Sequence, residues 1–251
     1  MKANLRWLKR VTKFGLFLLM GASMSASAGL FGFGGDSWKE EVLLHDGSKV
    51  IAKRSLSYGG RREIGQSAPI KEQTLSFTLP NTDKAITWNS EFSEDIGRAN
   101  FNLLALHILN GIPYVVASPN LCLSYNKWGR PNPPYVFFKY DGKGWQRILL
   151  SEFPAEFKSL NVAIYLGHQD VDLMVKEGLV PAETIKRRNA ELTQPEYKTI
   201  LREPVLREID CPIPSTASAE LIAPVVDGKL LHYNWWPLAQ DWLNKTYGKQ
   251  K

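Results

Sequence analysis

Three times in this 251-residue chain an Asp-Gly or Asn-Gly pair stands between two apolar-rich runs, and this punctuation restricts the fold more than any other feature. The pairs are Asp46-Gly47 between Trp38–His45 and Ser48–Arg54, Asn110-Gly111 between Leu103–Leu109 and Ile112–Ala117, and Asp141-Gly142 between Tyr135–Tyr140 and Trp145–Leu150. Each pair accepts the positive φ angles of a tight type I′ turn, so each segment predicts a β-hairpin. Asp227-Gly228, between Leu221–Val226 and Lys229–Tyr233, marks a fourth with a less regular pattern. Glu72–Leu79 places Leu75, Phe77 and Leu79 on one face at the strand period, with Ala85–Trp88 as a candidate neighbour. Asn161–Leu166 is another short apolar run. The expectation is a mainly β protein, an antiparallel sandwich or meandering sheet. No sequence period links the hairpins, so a propeller has no support.

Helix signals fall in the C-terminal third. Pro181 with Glu183 opens a helix to about Leu192, and its thin stripe (Ile185, Leu192) places it on the surface. Pro237 opens a second over Pro237–Tyr247, where Leu238, Ala239, Trp242 and Leu243 share a face. Between them, Arg202–Ala219 carries Pro204, Pro212 and Pro214 without periodicity and reads as a linker. The expected layout is a leader over 29–37, a β-rich domain over 38–203, and a Pro-rich linker with a C-terminal hairpin and helix over 204–251.

The first 28 residues read as an export address. Lys2, Arg6, Lys9, Arg10 and Lys13 precede a short apolar run, Phe14–Ala22, and Ala26-Ser27-Ala28 offers a small-residue cleavage site. The run is too short for a membrane span, and no later run is long enough. The expected location is periplasmic or secreted, after cleavage near Ala28. Cleavage also removes charge. The chain has 31 Lys+Arg against 25 Asp+Glu, and loss of five cations leaves it nearly neutral. Nucleic acid, which needs a basic face, is therefore not an expected partner.

Two cysteines follow this segment, Cys122 and Cys211. In an oxidising compartment an even pair usually bridges, and this bridge would close a long loop worth roughly 4–5 kcal/mol. The alternative is two separately buried thiols.

Ser118–Tyr135 (SPNLCLSYNKWGRPNPPY) sets Tyr125, Trp128 and Tyr135 among Asn126, Lys127, Arg130 and Asn132. Aromatic faces beside amide and cationic donors suit a sugar ring, an extended peptide or a protein surface. Tyr125, Trp128, Arg130 and Tyr135 are the candidate binding residues. The competing reading is a long loop with its rings folded onto the core. Asn234-Trp235-Trp236-Pro237 is a second aromatic cluster with the same two readings. Glu91, Glu94 and Asp95 form the best acidic group for glycoside hydrolysis, although Ser93-Glu94-Asp95 also reads as a turn or a first helical turn. His45, His107, His168 and His232 lack metal-ligand spacing, so neither metal nor cofactor is expected. No nucleophile-elbow, phosphate-loop or dinucleotide motif is present.

The words SWKEEVLLHDGSKVI, NLLALHILNGIPYVVASPNLCLSYNKWGRPNPPYVFFKYDGKGWQRILLSEFPAEF and LTQPEYKTILRE cover most of Trp38–Glu203. In them the chain resembles a set of secreted proteobacterial proteins with no assigned function. The resemblance implies export and a single folded domain, and supplies no activity or catalytic residue. The reading is an exported, non-enzymatic binding protein that recognises a glycan or an envelope protein through its aromatic loop. The alternatives are an envelope glycan hydrolase using the acidic group and a structural envelope component.

Overall fold

A computed structural model describes residues 35–61, 67–164, 167–206, 209 and 211, together with the backbone pairing of 225–226 with 229–230. The chain is mainly β, as the turn punctuation predicts. Strands β1 (Asp36–Leu43) and β2 (Lys49–Tyr58) form the first hairpin. Strands β3 (Ile70–Thr78) and β4 (Ala85–Asn89) extend it antiparallel. A short strand, β11 (Leu179–Val180), joins the other side parallel to β1, giving the order β11-β1-β2-β3-β4. The small hairpin of β5 (Phe92–Ser93) and β6 (Arg98–Ala99) stands apart. The second sheet has the order β10-β9-β8-β7, from β7 (Phe101–Leu109), β8 (Ile112–Pro119), β9 (Val136–Tyr140) and β10 (Trp145–Ile148).

The turns use two chemistries. Asn110 and Gly111 have φ of 52° and 73°, so β7 and β8 meet in the two-residue left-handed turn that Asn-Gly favours. At the other two sites the glycine takes a positive φ (Gly47 83°, Gly142 96°) and the aspartate does not. There the side chain builds the turn: Asp46 Oδ1 accepts from the backbone of Ser48, and Asp141 Oδ1 from those of Lys143 and Gly144. The fourth hairpin pairs β12 (Val225–Val226) with β13 (Lys229–Leu230).

Burial explains why the two sheets differ in sequence. The first alternates, burying Val42, Val50, Ala52, Leu75, Phe77, Ile86 and Trp88 on one face while Lys, Ser and Thr face water. Opposite lie Phe101, Leu103, Leu106, Val115, Ala117, Val136 and Phe138, with Trp88 and Phe138 edge to face at 5.9 Å. The second sheet is covered on its outer face too. A register shift between Leu103 and Ala105 puts Leu104 and Ala105 together there, with Tyr114, Val116 and Phe137. Phe153, Phe157, Leu160 and Ile200 cover them. A sheet buried on both faces reads as a continuous apolar run, which is how β7 and β8 read.

Asn161 joins the layers. Its carbonyl accepts from Leu106 N at 2.9 Å, and its amide donates to Leu106 O at 2.7 Å and to Leu43 O at 2.9 Å. A third apolar cluster packs two helices, α2 (His168–Glu177) and α3 (Ala182–Glu191), beside β11. Val171, Met174, Val180 and Ile185 meet Trp38 and Leu56. Gly178 ends α2 at φ 70°, donating to Met174 O at 3.0 Å. The helix expected from Pro181 is α3, whereas α2 and a short helix in the aromatic segment, α1 (Leu121–Lys127), were not expected. As its thin stripe predicts, α3 lies on the surface, with Ile185 turned inward and Glu183, Lys186, Arg187 and Glu191 exposed. The export segment, Asn234–Pro237 and the Pro237–Tyr247 helix lie outside the described residues. Among the described residues no helix is long and apolar enough to cross a membrane.

Between the sandwich core and the third cluster lies a fully buried ion pair. Glu40 and Arg54 each have no exposed surface, and Arg54 Nη1 donates to Glu40 Oε1 at 3.2 Å. Trp38 Nε1 donates to the same oxygen at 2.7 Å, and Ala163 N to Glu40 Oε2 at 3.1 Å. Arg54 Nη2 donates to Gln73 Oε1 at 3.1 Å, and Gln73 Nε2 to Phe101 O at 2.6 Å. Breaking one partner of such a pair strands a charge in apolar surroundings. Glu40→Ala is expected to lower the unfolding free energy by about 3–5 kcal/mol in urea titration. Glu40→Leu with Arg54→Met is expected to recover much of that loss, and a loss equal to the single variant's would contradict this.

Candidate functional site

The aromatic segment is not a free loop. After β8, Asn120 leads into α1, whose Ser124 hydroxyl donates to Asn100 O and whose Cys122 lies in the first turn. Gly129 (φ 86°) and Arg130 (φ 52°) turn the chain back, with Arg130 N donating to Tyr125 O at 2.9 Å. Tyr125 and Tyr135 are only 8% and 3% exposed. Trp128 is partly buried, its ring 4.7 Å from that of Phe101 and 5.4 Å from the Arg147 guanidinium. Of the two readings of this segment, Tyr125 and Tyr135 follow the one with rings folded onto the core, while Trp128 and Arg130 are half-buried. Ring burial against Phe101, Phe137 and the chain's own downstream segment outweighs presentation to solvent.

What these residues grip is their own chain. Tyr135 Oη lies 2.8 Å from Glu196 O and 3.1 Å from Thr199 O, and burial pushes this phenol well above its usual range, so it stays protonated. Asn132 exchanges two hydrogen bonds with the Val205 backbone, at 3.0 and 2.7 Å. The Arg130 guanidinium packs 5.2 Å over Tyr125 and donates to Asn126 Oδ1 at 2.6 Å and to Cys211 O at 2.5 Å. The sulfurs of Cys122 and Cys211 stand at bonding distance, 2.13 Å, with Cα atoms 5.1 Å apart across 89 residues. Residues 196–206, with Cys211, thus form a strap held mainly through backbone atoms. Replacing both cysteines by serine is expected to cost about 2–5 kcal/mol of stability, read in denaturant titration. Thiol labelling of the unreduced, denatured wild type should find no reactive cysteine.

The acidic group is divided. Asp95 is bound by Lys127 at 2.8 Å, while Glu91 and Glu94 are exposed on or beside the β5–β6 hairpin. The segment is a strand-turn-strand and not a helix start. Among the described residues no group of His, Cys, Asp and Glu is placed to hold a metal.

His107 belongs to the core: it stacks on Phe157 at 4.5 Å, and Nε2 lies 2.9 Å from Ser159 O. Burial pushes its pKa down to about 4, against a smaller opposing effect of the Ser159 carbonyl. The unfolded chain binds this proton more readily, so its contribution is complete above about pH 6.5 and falls as pH drops toward 4. The loss is roughly 3 kcal/mol. Stability measured across this window is expected to fall less steeply in His107→Phe, and an unchanged slope would contradict the assignment.

A cleft of about 390 Å³ opens at the hairpin tips of the sandwich. The β8–β9 ladder starts at Tyr114 opposite Lys139, one residue beyond Pro113, which has no N–H to offer. The strands part there, and the gap is lined by Ile112, Pro113, Lys139, Tyr140 and, from the other sheet, Leu79 and Lys84. Tyr140 is held in place by Trp145, edge to face at 5.5 Å, and by the Lys84 ammonium 4.9 Å from its ring centre. Trp145 is itself fixed by donating to Thr87 O at 2.8 Å. Lys84 Nζ donates to Gly142 O at 2.9 Å, joining tips from the two sheets. Sequence reasoning missed this site, although Pro113 so close behind Asn110-Gly111 was a signal for a parted ladder.

The chain matches no protein-family model, no curated protein and no solved structure.

Proposed function

We propose that this chain is an exported, non-enzymatic binding domain that takes a glycan in the cleft at the tips of its hairpins. The observation that carries this reading is the fixed aromatic wall. Tyr140 stands between Trp145 and Lys84 beside an apolar floor of Leu79, Ile112 and Pro113. A rigid aromatic beside apolar contacts and polar turn groups binds a sugar ring at low entropic cost. The volume suits one or two such rings. Export is supported by the charge, apolar and small-residue order of residues 1–28 and by a cysteine pair at bonding distance, which an oxidising compartment maintains.

A structural envelope role is the second reading, favoured by the burial of Tyr125 and by that of Tyr135 against the strap. The hydrolase reading loses support because Asp95 is paired to Lys127 and Glu94 is exposed. Pull-down of the chain from Gly29 onward on peptidoglycan and on immobilised glycans separates these readings. Retention is expected for the wild type and roughly tenfold weaker retention for Tyr140→Ala. Absence of wild-type retention, or full retention by a folded Tyr140→Ala protein, would overturn the cleft as the site.

A further inference from the structure

The charge around the cleft narrows the ligand further, an inference that rests on the glycan reading above. We infer that the glycan carries a carboxylate, as a uronic acid does. Two cations line the cleft, Lys84 and Lys139. The ion pairs among the described residues are Lys49–Glu41, Arg54–Glu40, Lys127–Asp95 and Arg188–Glu177, and neither cleft lysine is in them. Lys84 uses one ammonium hydrogen on Gly142 O, which leaves two. Among the described residues the Lys139 ammonium makes no side-chain hydrogen bond, and it lies 6.0 Å from the Tyr114 ring centre, the outer limit of a cation–aromatic contact.

The carboxylate at the rim, Asp141, forms an ion pair with neither lysine. Asp141 Oδ1 accepts from the backbones of Lys143 and Gly144, both at 2.8 Å, and Oδ2 accepts from Gln146 Nε2 at 3.3 Å. Those backbone bonds, that of Gly144 first, hold its carboxyl below the usual carboxylate range, so it stays ionised while committed to its own turn. The cleft therefore has an excess of positive charge with donors to spare, beside a fixed aromatic wall. A ring bearing a carboxylate meets both, whereas a neutral sugar meets the wall alone.

The test is calorimetric titration of the chain from Gly29 onward with an oligogalacturonate and with a neutral galactose oligomer of equal length. The acidic sugar is expected to bind roughly tenfold tighter at low salt, and added salt should narrow the margin. Lys139→Gln is expected to reduce the preference and Lys139→Arg to keep it. Equal affinity for the two sugars, or an undiminished preference in Lys139→Gln, would overturn the carboxylate requirement and leave the cleft standing as a glycan site. Failure of the wild type to bind either sugar would overturn both.

Discussion

The rest of the structure is arranged around a charge removed from water. Glu40 and Arg54 lie on adjacent strands of the first sheet with no exposed surface, and neither could be there without the other. Their remaining groups draw in parts from across the chain: Trp38 from the same strand, Gln73 from β3, and the backbone of Ala163 from the connection between the layers. Gln73 passes the chain of bonds to Phe101, the first residue of the second sheet. One polar seam therefore fixes where the two sheets and the helical cluster meet. Oil-like packing alone would leave that relation free to slide, because apolar contacts have no direction.

The strap follows the same logic at the other end of the second sheet. Arg130, Asn132 and Tyr135 address main-chain atoms of Glu196, Thr199, Val205 and Cys211, and the paired cysteines anchor the end. Residues suited to seizing an extended peptide do so, with the chain itself as the peptide. At the hairpin tips, where Pro113 parts the ladder, a cavity faces solvent instead.

The sequence made the hairpins legible because an Asp or Asn followed by Gly has few conformational uses other than a turn. It did not distinguish the two-residue turn at Asn110-Gly111 from the aspartate-built turns at Asp46 and Asp141, which depend on a side-chain oxygen and not on φ alone. Helix α2 escaped notice because it buries only Val171 and Met174, too thin a stripe to register as a period. The ion pair was in reach: strand alternation puts Glu40 between Trp38 and Val42, and Arg54 between Ala52 and Leu56, on the inward side. The aromatic segment left two readings open because composition reports what a side chain could contact and not which partner arrives first. The cleft was beyond single-strand reasoning, since turns from different sheets build it.

A chain made from its N-terminus completes β1 and β2 long before residue 163 exists. Until then Glu40 lacks the Ala163 N–H, 123 positions downstream, and Leu43 lacks the Asn161 amide, 118 positions downstream. The inward face of the first hairpin is thus interrupted by a hydrated carboxylate and guanidinium throughout synthesis. Charges set within an apolar strand oppose premature pairing with other exposed strands. The groups that lock the finished sandwich are thus also the ones that break up the apolar face of its earliest hairpin.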